Sequence, residues 1–134
     1  RYFDNLVGRF AGSPPEACGM FGRCAVQHVI EADGSVYPCD FYCLDEWRLG
    51  DVSADSFQAL DACEPARRFV EQSKARAEEC LSCSWWGLCL GGCRRDRDRR
   101  GVIGPNRYCR SYKTFFDYAA PRLQALARAR SRGG

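Results

Sequence analysis

Four cysteines crowd into residues 80–93, CLSCSWWGLCLGGC, as Cys80-x2-Cys83-x5-Cys89-x3-Cys93 around a Trp-Trp pair, and no other feature restricts the fold as severely. Thiols this close together pair with each other, hold a zinc ion, or hold something larger. The chain has ten cysteines in 134 residues, just under the density at which a disulfide scaffold is the default, so spacing has to decide. Disulfides need an oxidising compartment. The N-terminal residues show no apolar signal region and no transmembrane run, so nothing there argues for export, and a cytoplasmic location is expected. Structural zinc commonly takes two Cys-x2-Cys knuckles per ion, and only Cys80 and Cys83 form one. Iron-sulfur clusters take four thiolates each, and in two-cluster ferredoxins a compact cysteine run lends its last member to the other cluster. By that logic three sulfurs of the run share a cluster with Cys109, while Cys93 reaches back to Cys18, Cys24 and Cys39. Cys43 and Cys63 are left over and read as small apolar-like packing residues.

The rest of the chain is organised around delivering these sulfurs. In RYFDNLVGRF, residues Tyr2, Phe3, Leu6, Val7 and Phe10 form one helical stripe, and a stripe in that position predicts a partner, here a larger domain N-terminal to Arg1. A Gly/Pro loop then leads to Cys18. AVQHVIEADGSVYPC reads as a hairpin turning at Asp33-Gly34, whose arms bring Cys24 and Cys39 to the same end. Two short helices are expected over SADSFQALDA, capped by Ser53, and over PARRFVEQSKARAEE, opened by Pro65. The segment 111–130 reads as a helix with a break or kink at Pro121, and the terminal SRGG should fray. No internal repeat is visible.

The formal charge of +3 treats every cysteine as neutral. Two 4Fe-4S clusters at about −2 apiece, counting a 2+ core and four thiolates, bring the balance near −1. The basic balance is therefore poor support for a nucleic-acid partner. The run RRDRDRR at 94–100 has interleaved Asp and no aromatic residues, so it reads as a solvated, self-paired face, although some of its arginines could offset cluster charge. Trp85 and Trp86 suit either shielding of a cluster or plain core packing. Gly91 and Gly92 suit the approach of backbone amides to sulfur. His28 reads as a half-buried strand residue.

Taken together, Cys24-x9-Gly34-x4-Cys39, Cys80-x2-Cys83-x5-Cys89-x3-Cys93 and Cys109 resemble the seven-cysteine SPASM signature of radical S-adenosylmethionine enzymes. Cys18, six positions upstream, is similar to the arrangement in anaerobic sulfatase-maturating enzymes, as are EACGM, DGSVYPCDFY, LDEWRLGD and WWGLCLGGC. The resemblance implies a small α+β fold stabilised by metal clusters, in which a β-hairpin and short helices surround two 4Fe-4S clusters. It implies Cys18, Cys24, Cys39 and Cys93 as ligands of one cluster, and Cys80, Cys83, Cys89 and Cys109 as ligands of the other. The expected organisation is a helix and linker over 1–17, the SPASM domain over 18–112, and a C-terminal helix and tail over 113–134.

The resemblance also implies an oxidoreductase that converts a Cys or Ser of a sulfatase peptide to Cα-formylglycine. Asp40, in PCDFY, matches the family's proposed general base, and a carboxylate beside an anionic cluster gains proton affinity; the alternative role is a hydrogen bond to nearby backbone. The radical-generating step needs a Cys-x3-Cys-x2-Cys loop with S-adenosylmethionine and a third 4Fe-4S cluster. After Cys39-x3-Cys43 the next required position is Glu46, so that loop is expected in a separate β/α barrel, and the chain alone should be inactive. An electron partner such as flavodoxin or ferredoxin is implied; no nucleic acid and no membrane are. Three other readings stay open: a two-cluster ferredoxin-like carrier, a zinc-stapled module, and a SPASM domain from another peptide-modifying enzyme. An uncovered stripe from Tyr2 to Phe10 would speak against the carrier.

Overall fold

Short, cysteine-punctuated segments leave room for only brief regular elements. The computed structural model describes residues 1–99 and 101–132. In chain order the elements are α1 (Tyr2–Phe10), β1 (Val29–Ile30), β2 (Ser35–Tyr37), β3 (Gly50–Asp51), α2 (Phe57–Ala62), α3 (Glu64–Ser73), α4 (Trp86–Cys89), β4 (Asp98–Arg99), β5 (Val102–Ile103) and α5 (Cys109–Arg132). Residues 23–75 form one compact unit, and residues 1–22 with 76–134 form a second. No described helix is long and apolar enough to cross a membrane.

The 23–75 unit is built on the expected hairpin. β1 pairs antiparallel with β2 in the register Val29↔Tyr37 and Ile30↔Val36. The chain reverses at Gly34, whose φ of 88° lies where glycine is favoured. The Gly34 amide donates to the Glu31 carbonyl at 3.0 Å, and the Asp33 carboxylate accepts the Ser35 amide at 2.9 Å. A third strand, β3, pairs with β2 through Ser35↔Asp51 and Val36↔Gly50; two residues are too few for a period to show in the sequence. Val36, Leu49, Leu60 and Ala66 close one core cluster. Tyr42, Trp47 and Phe69 close another, with Cys24 and Cys39 packed against it.

Both helices of this unit differ from expectation at their ends. Ser56, not Ser53, caps α2, its hydroxyl accepting the Ala59 amide at 3.2 Å; Ser53 instead donates to Asp51 within the preceding turn. α3 stops at Ser73 rather than reaching Glu79. The Ser73 hydroxyl donates to the Val70 carbonyl at 2.6 Å and accepts from the Cys24 amide at 2.8 Å, a side-chain competition with the backbone that favours helix ends. His28 lies outside β1, at a φ of 49°, with Nε2 2.9 Å from an Asp61 carboxylate oxygen.

The other unit corrects the expectation for α1. Its stripe is covered in part within this chain by α5: Leu6, Met20, Phe116, Ala119 and Leu123 form the core, with Val7 and Phe10 packed against it, while Tyr2 and Phe3 remain exposed. Tyr2 and Phe3 lie against Phe115 at 6.5 and 5.9 Å between ring centroids. The inner part of the stripe thus has its partner within the chain, and the uncovered part is limited to Tyr2 and Phe3. α5 also runs through Pro121 unbroken; the neighbouring Ala119, Ala120 and Leu123 are buried, and the Arg122 guanidinium donates to the Tyr118 carbonyl at 2.7 Å. Of the expected fraying tail, Ser131 and Arg132 continue the helix backbone, while Gly133 and Gly134 lie outside the described residues.

The run 94–100 is only partly a solvated face: among its described residues Arg95 and Arg99 are exposed, whereas two arginines are buried. Arg94 and Arg97 are 1% and 3% exposed. Pairing within the run does occur, with Arg94 Nε 3.8 Å from Asp98. Asp96 pairs outside it with Arg107 at 2.9 Å. Arg100 lies outside the described residues.

Candidate metal centres

Cys80, Cys89 and Cys109 stand at the ends of turns or helices, and the Cys83 carbonyl accepts the Trp86 amide at 3.1 Å at the start of a turn. Cys80 ends a 3-10 turn that starts at Glu78, Cys89 is the last residue of α4, and Cys109 is the first of α5. With Trp85, Trp86, Tyr112 and Phe116 the four thiols line one hollow. Burial raises the Cys80 thiol pKa first, and the charges of Cys109 and Cys83 raise it further. Burial also raises that of Cys89; the Gly91 amide, hydrogen-bonded to the sulfur, opposes this, and Cys109, Cys80 and Cys83 add to it. Four thiols lining one hollow, two of them with hindered ionisation, fit a cationic inorganic core that binds sulfur as thiolate.

The turn after Cys89 is left-handed over three residues. Leu90, Gly91 and Gly92 take φ values of 48°, 83° and 70°, which turns the Gly91 N–H back to Cys89. Gly92 serves differently: a Cβ there would come 2.6 Å from Asn106 Nδ2.

Cys18 and Cys93 are brought together in the same unit. A Cβ on Gly19 would lie 3.4 Å from the Cys93 amide nitrogen, and the charge of Cys18 acts on Cys93. Burial pushes the Cys93 thiol up, and the amides of Arg95 and Asp96 hydrogen-bond its sulfur. Cys24 and Cys39 are brought together in the 23–75 unit, where Gln27 donates to the Pro38 carbonyl at 2.9 Å and extends the hairpin toward both. Burial pushes the Cys39 thiol to about 12, the Phe41 amide works against this, and Asp40 and Cys24 reinforce it. The Cys39 thiol donates to exposed Asp40 at 3.2 Å.

Among the described residues no three His, Cys, Asp or Glu side chains are arranged to hold a single metal ion. A lone tetrahedral zinc needs each sulfur about 2.3 Å from one point, whereas a cluster takes one thiolate at each corner iron.

Residues 18–84 match the sequence profile of the family described as SPASM, an iron-sulfur cluster-binding domain. The chain belongs to the SPASM family. This SPASM chain is 47% identical over 129 residues to a cysteine-type anaerobic sulfatase-maturating enzyme of Clostridium perfringens, a match covering 95% of the chain and 35% of that protein. To a serine-type anaerobic sulfatase-maturating enzyme of Bacteroides thetaiotaomicron it is 27% identical, covering 92% of the chain and 31% of that protein. Its fold is similar to the solved structure of native anSMEcpe with bound AdoMet and Cp18Cys peptide, at a TM-score of 0.92 and 46% identity over 96% of this chain and 36% of that one. The chain thus spans about a third of the length of the relatives it matches.

Trp85 and Trp86 of this SPASM domain are half-buried and pack on protein groups. Trp85 lies on Phe116 at 5.6 Å and donates its N–H to Asp117 at 2.8 Å. Trp86 carries the Arg76 guanidinium 3.9 Å above its ring, and Arg76 donates to the Cys80 carbonyl at 3.0 Å. Cys63 packs against the Val36 cluster and donates to Leu60 at 3.1 Å; half-buried Cys43 lies 3.7 Å from the Cys39 carbonyl. Tyr112 and Phe116 were not singled out from the sequence, yet they stand three and seven residues after Cys109 on one helix, so helical spacing counted from a ligand would have found them.

Proposed function

We propose that this SPASM domain is the auxiliary-cluster part of a radical S-adenosylmethionine enzyme that oxidises a Cys or Ser of a sulfatase to Cα-formylglycine. The match to proteins named sulfatase-maturating enzymes over 95% of the chain supports the reaction. Identity of 47% to a cysteine-type relative against 27% to a serine-type one favours a Cys substrate. One 4Fe-4S cluster is assigned to Cys80, Cys83, Cys89 and Cys109, and a second to Cys18, Cys24, Cys39 and Cys93. S-adenosylmethionine and a third cluster are assigned to a β/α barrel outside residues 1–134, and the reducing cytoplasm suits all of this thiolate chemistry.

Bound at these cysteines, the clusters supply one-electron redox capacity and an inorganic core for folding. The chain's own groups then do three things. Amides of Gly91, Arg95, Asp96 and Phe41 point at cysteine sulfur, where they stabilise added negative charge. Trp85 and Phe116 exclude water from the hollow. In the barrel-containing enzyme the substrate would first lose a Cβ hydrogen atom to the deoxyadenosyl radical; exposed Asp40 would then take a proton, a flavodoxin or ferredoxin the one remaining electron, and water would release sulfide from a Cys-derived thioaldehyde.

The observation that carries the reading is the single hollow lined by four cysteines. Anaerobic loading with iron and sulfide tests it: about eight irons and eight sulfides per chain are expected, four of each per cluster. A colourless protein holding stoichiometric zinc would refute it. Joined to its barrel, the loaded protein should form formylglycine on a sulfatase peptide, and residues 1–134 alone should not.

A further inference from the structure

Trp85 and Trp86 line the same hollow as Cys80, Cys83, Cys89 and Cys109, yet they are held from different sides. Trp85 is fixed from α5, by its stacking on Phe116 at 5.6 Å and its N–H to Asp117 at 2.8 Å. Trp86, half-buried at the start of α4, is met instead by Arg76, whose guanidinium carbon stands 3.9 Å from the ring centroid. The same guanidinium donates to the Cys80 carbonyl at 3.0 Å. Arg76 is exposed and does not itself line the hollow. From behind the wall it therefore ties two of its pieces together, the turn that carries Cys80 and the ring of Trp86.

We infer that Arg76 is a positioning residue that latches Trp86 over the cluster assigned to Cys80, Cys83, Cys89 and Cys109, and so sets how readily water and chelators reach that cluster. The inference rests on this assignment. A guanidinium lies flat on an indole face through cation–π attraction and stacking, and the bond to the Cys80 carbonyl fixes where the guanidinium stands. Trp86 is thereby tied to the backbone of a ligand. Each contact is modest at an exposed position, so the latch is the kind of local structure that opens without global unfolding, and iron leaves while it is open.

Arg76→Met keeps most of the apolar stem and removes both contacts. In the anaerobically loaded protein, transfer of iron to an excess of chelator should then release about four irons per chain roughly tenfold faster than in wild type, from the same starting iron content, because the closed state has lost one cation–π contact and one hydrogen bond. The remaining irons should leave at the wild-type rate. Trp86→Leu should speed the same fraction, and adding Arg76→Met to it should change the rate by less than about twofold, since Arg76 acts through the ring. An unchanged rate in Arg76→Met, equal acceleration of all the iron, or a double variant in which the two effects multiply overturns the inference. Should Arg76→Met fail to load, Arg76→Gln, which removes the cation and keeps an amide donor, takes its place, and a wild-type rate there overturns it. Cys83→Ser retaining full iron would remove the underlying assignment, a failure visible before any rate is measured.

Discussion

The Asn106 side-chain amide donates to the Gly91 carbonyl at 3.0 Å, and its own carbonyl accepts the Tyr108 amide at 2.8 Å. One buried side chain thereby ties the left-handed turn after Cys89 to the segment that delivers Cys109. Asn106→Ala leaves the Gly91 carbonyl buried without this donor, a loss of about 1–3 kcal/mol. Denaturant unfolding of the loaded protein should show that decrease together with faster iron release; stability equal to wild type would mean the tie is idle.

Gly92 faces the same amide from the other side. Gly92→Ala combines a φ of 70° with a Cβ 2.6 Å from Asn106 Nδ2, and the left-handed conformation alone costs a non-glycine residue about 1–2 kcal/mol. The double variant Gly92→Ala/Asn106→Ala should recover part of the single variant's loss in melting temperature, because the clash partner is gone.

Ligand and bystander cysteines separate by metal content. Cys83→Ser should lose about four irons per chain, one cluster's worth, whereas Cys63→Ser, whose thiol caps a Leu60 carbonyl at 3.1 Å, should keep full iron. Equal iron in the two variants would undo the ligand assignment.

In the barrel-containing enzyme, Asp40→Asn should lower formylglycine formation by about 10²–10⁴-fold, the range for loss of a general base. Peptide binding and iron content should persist. Turnover within twofold of wild type would assign the proton to another acceptor.

The hairpin turn gives a pH signature. Backbone and hydroxyl hydrogen bonds from Ser35 hold the Asp33 carboxyl below its ordinary 3.8. A lowered folded-state value contributes stability above the unfolded pKa and loses it as pH falls through the folded one. Amide exchange across β1 and β2 should accelerate in that acid window, and Asp33→Asn should flatten the dependence.

Patterned local features were readable from the residues. The α1 stripe, the Asp33-Gly34 reversal and the crowding of Cys80, Cys83 and Cys89 each rest on spacing within a few residues, where period and turn chemistry act. What escaped depended on which partner a group finds, usually one distant in sequence and once a competing neighbour. The amphipathic face of α1 shows that something covers it but not that Phe116 and Leu123 do. RRDRDRR looks soluble because sequence counts its charges, yet Arg94 and Arg97 are buried. Ser53 and Ser56 are equally good caps on paper, and Asp51 decides between them by engaging Ser53.

The helix that starts at Cys109 is the same one that buries Leu6 through Phe116 and Leu123. On the proposed assignment of Cys109, an inorganic core bound there would anchor the first residue of that helix, so loading with iron and sulfide should slow proteolysis of residues 1–22 and 76–134.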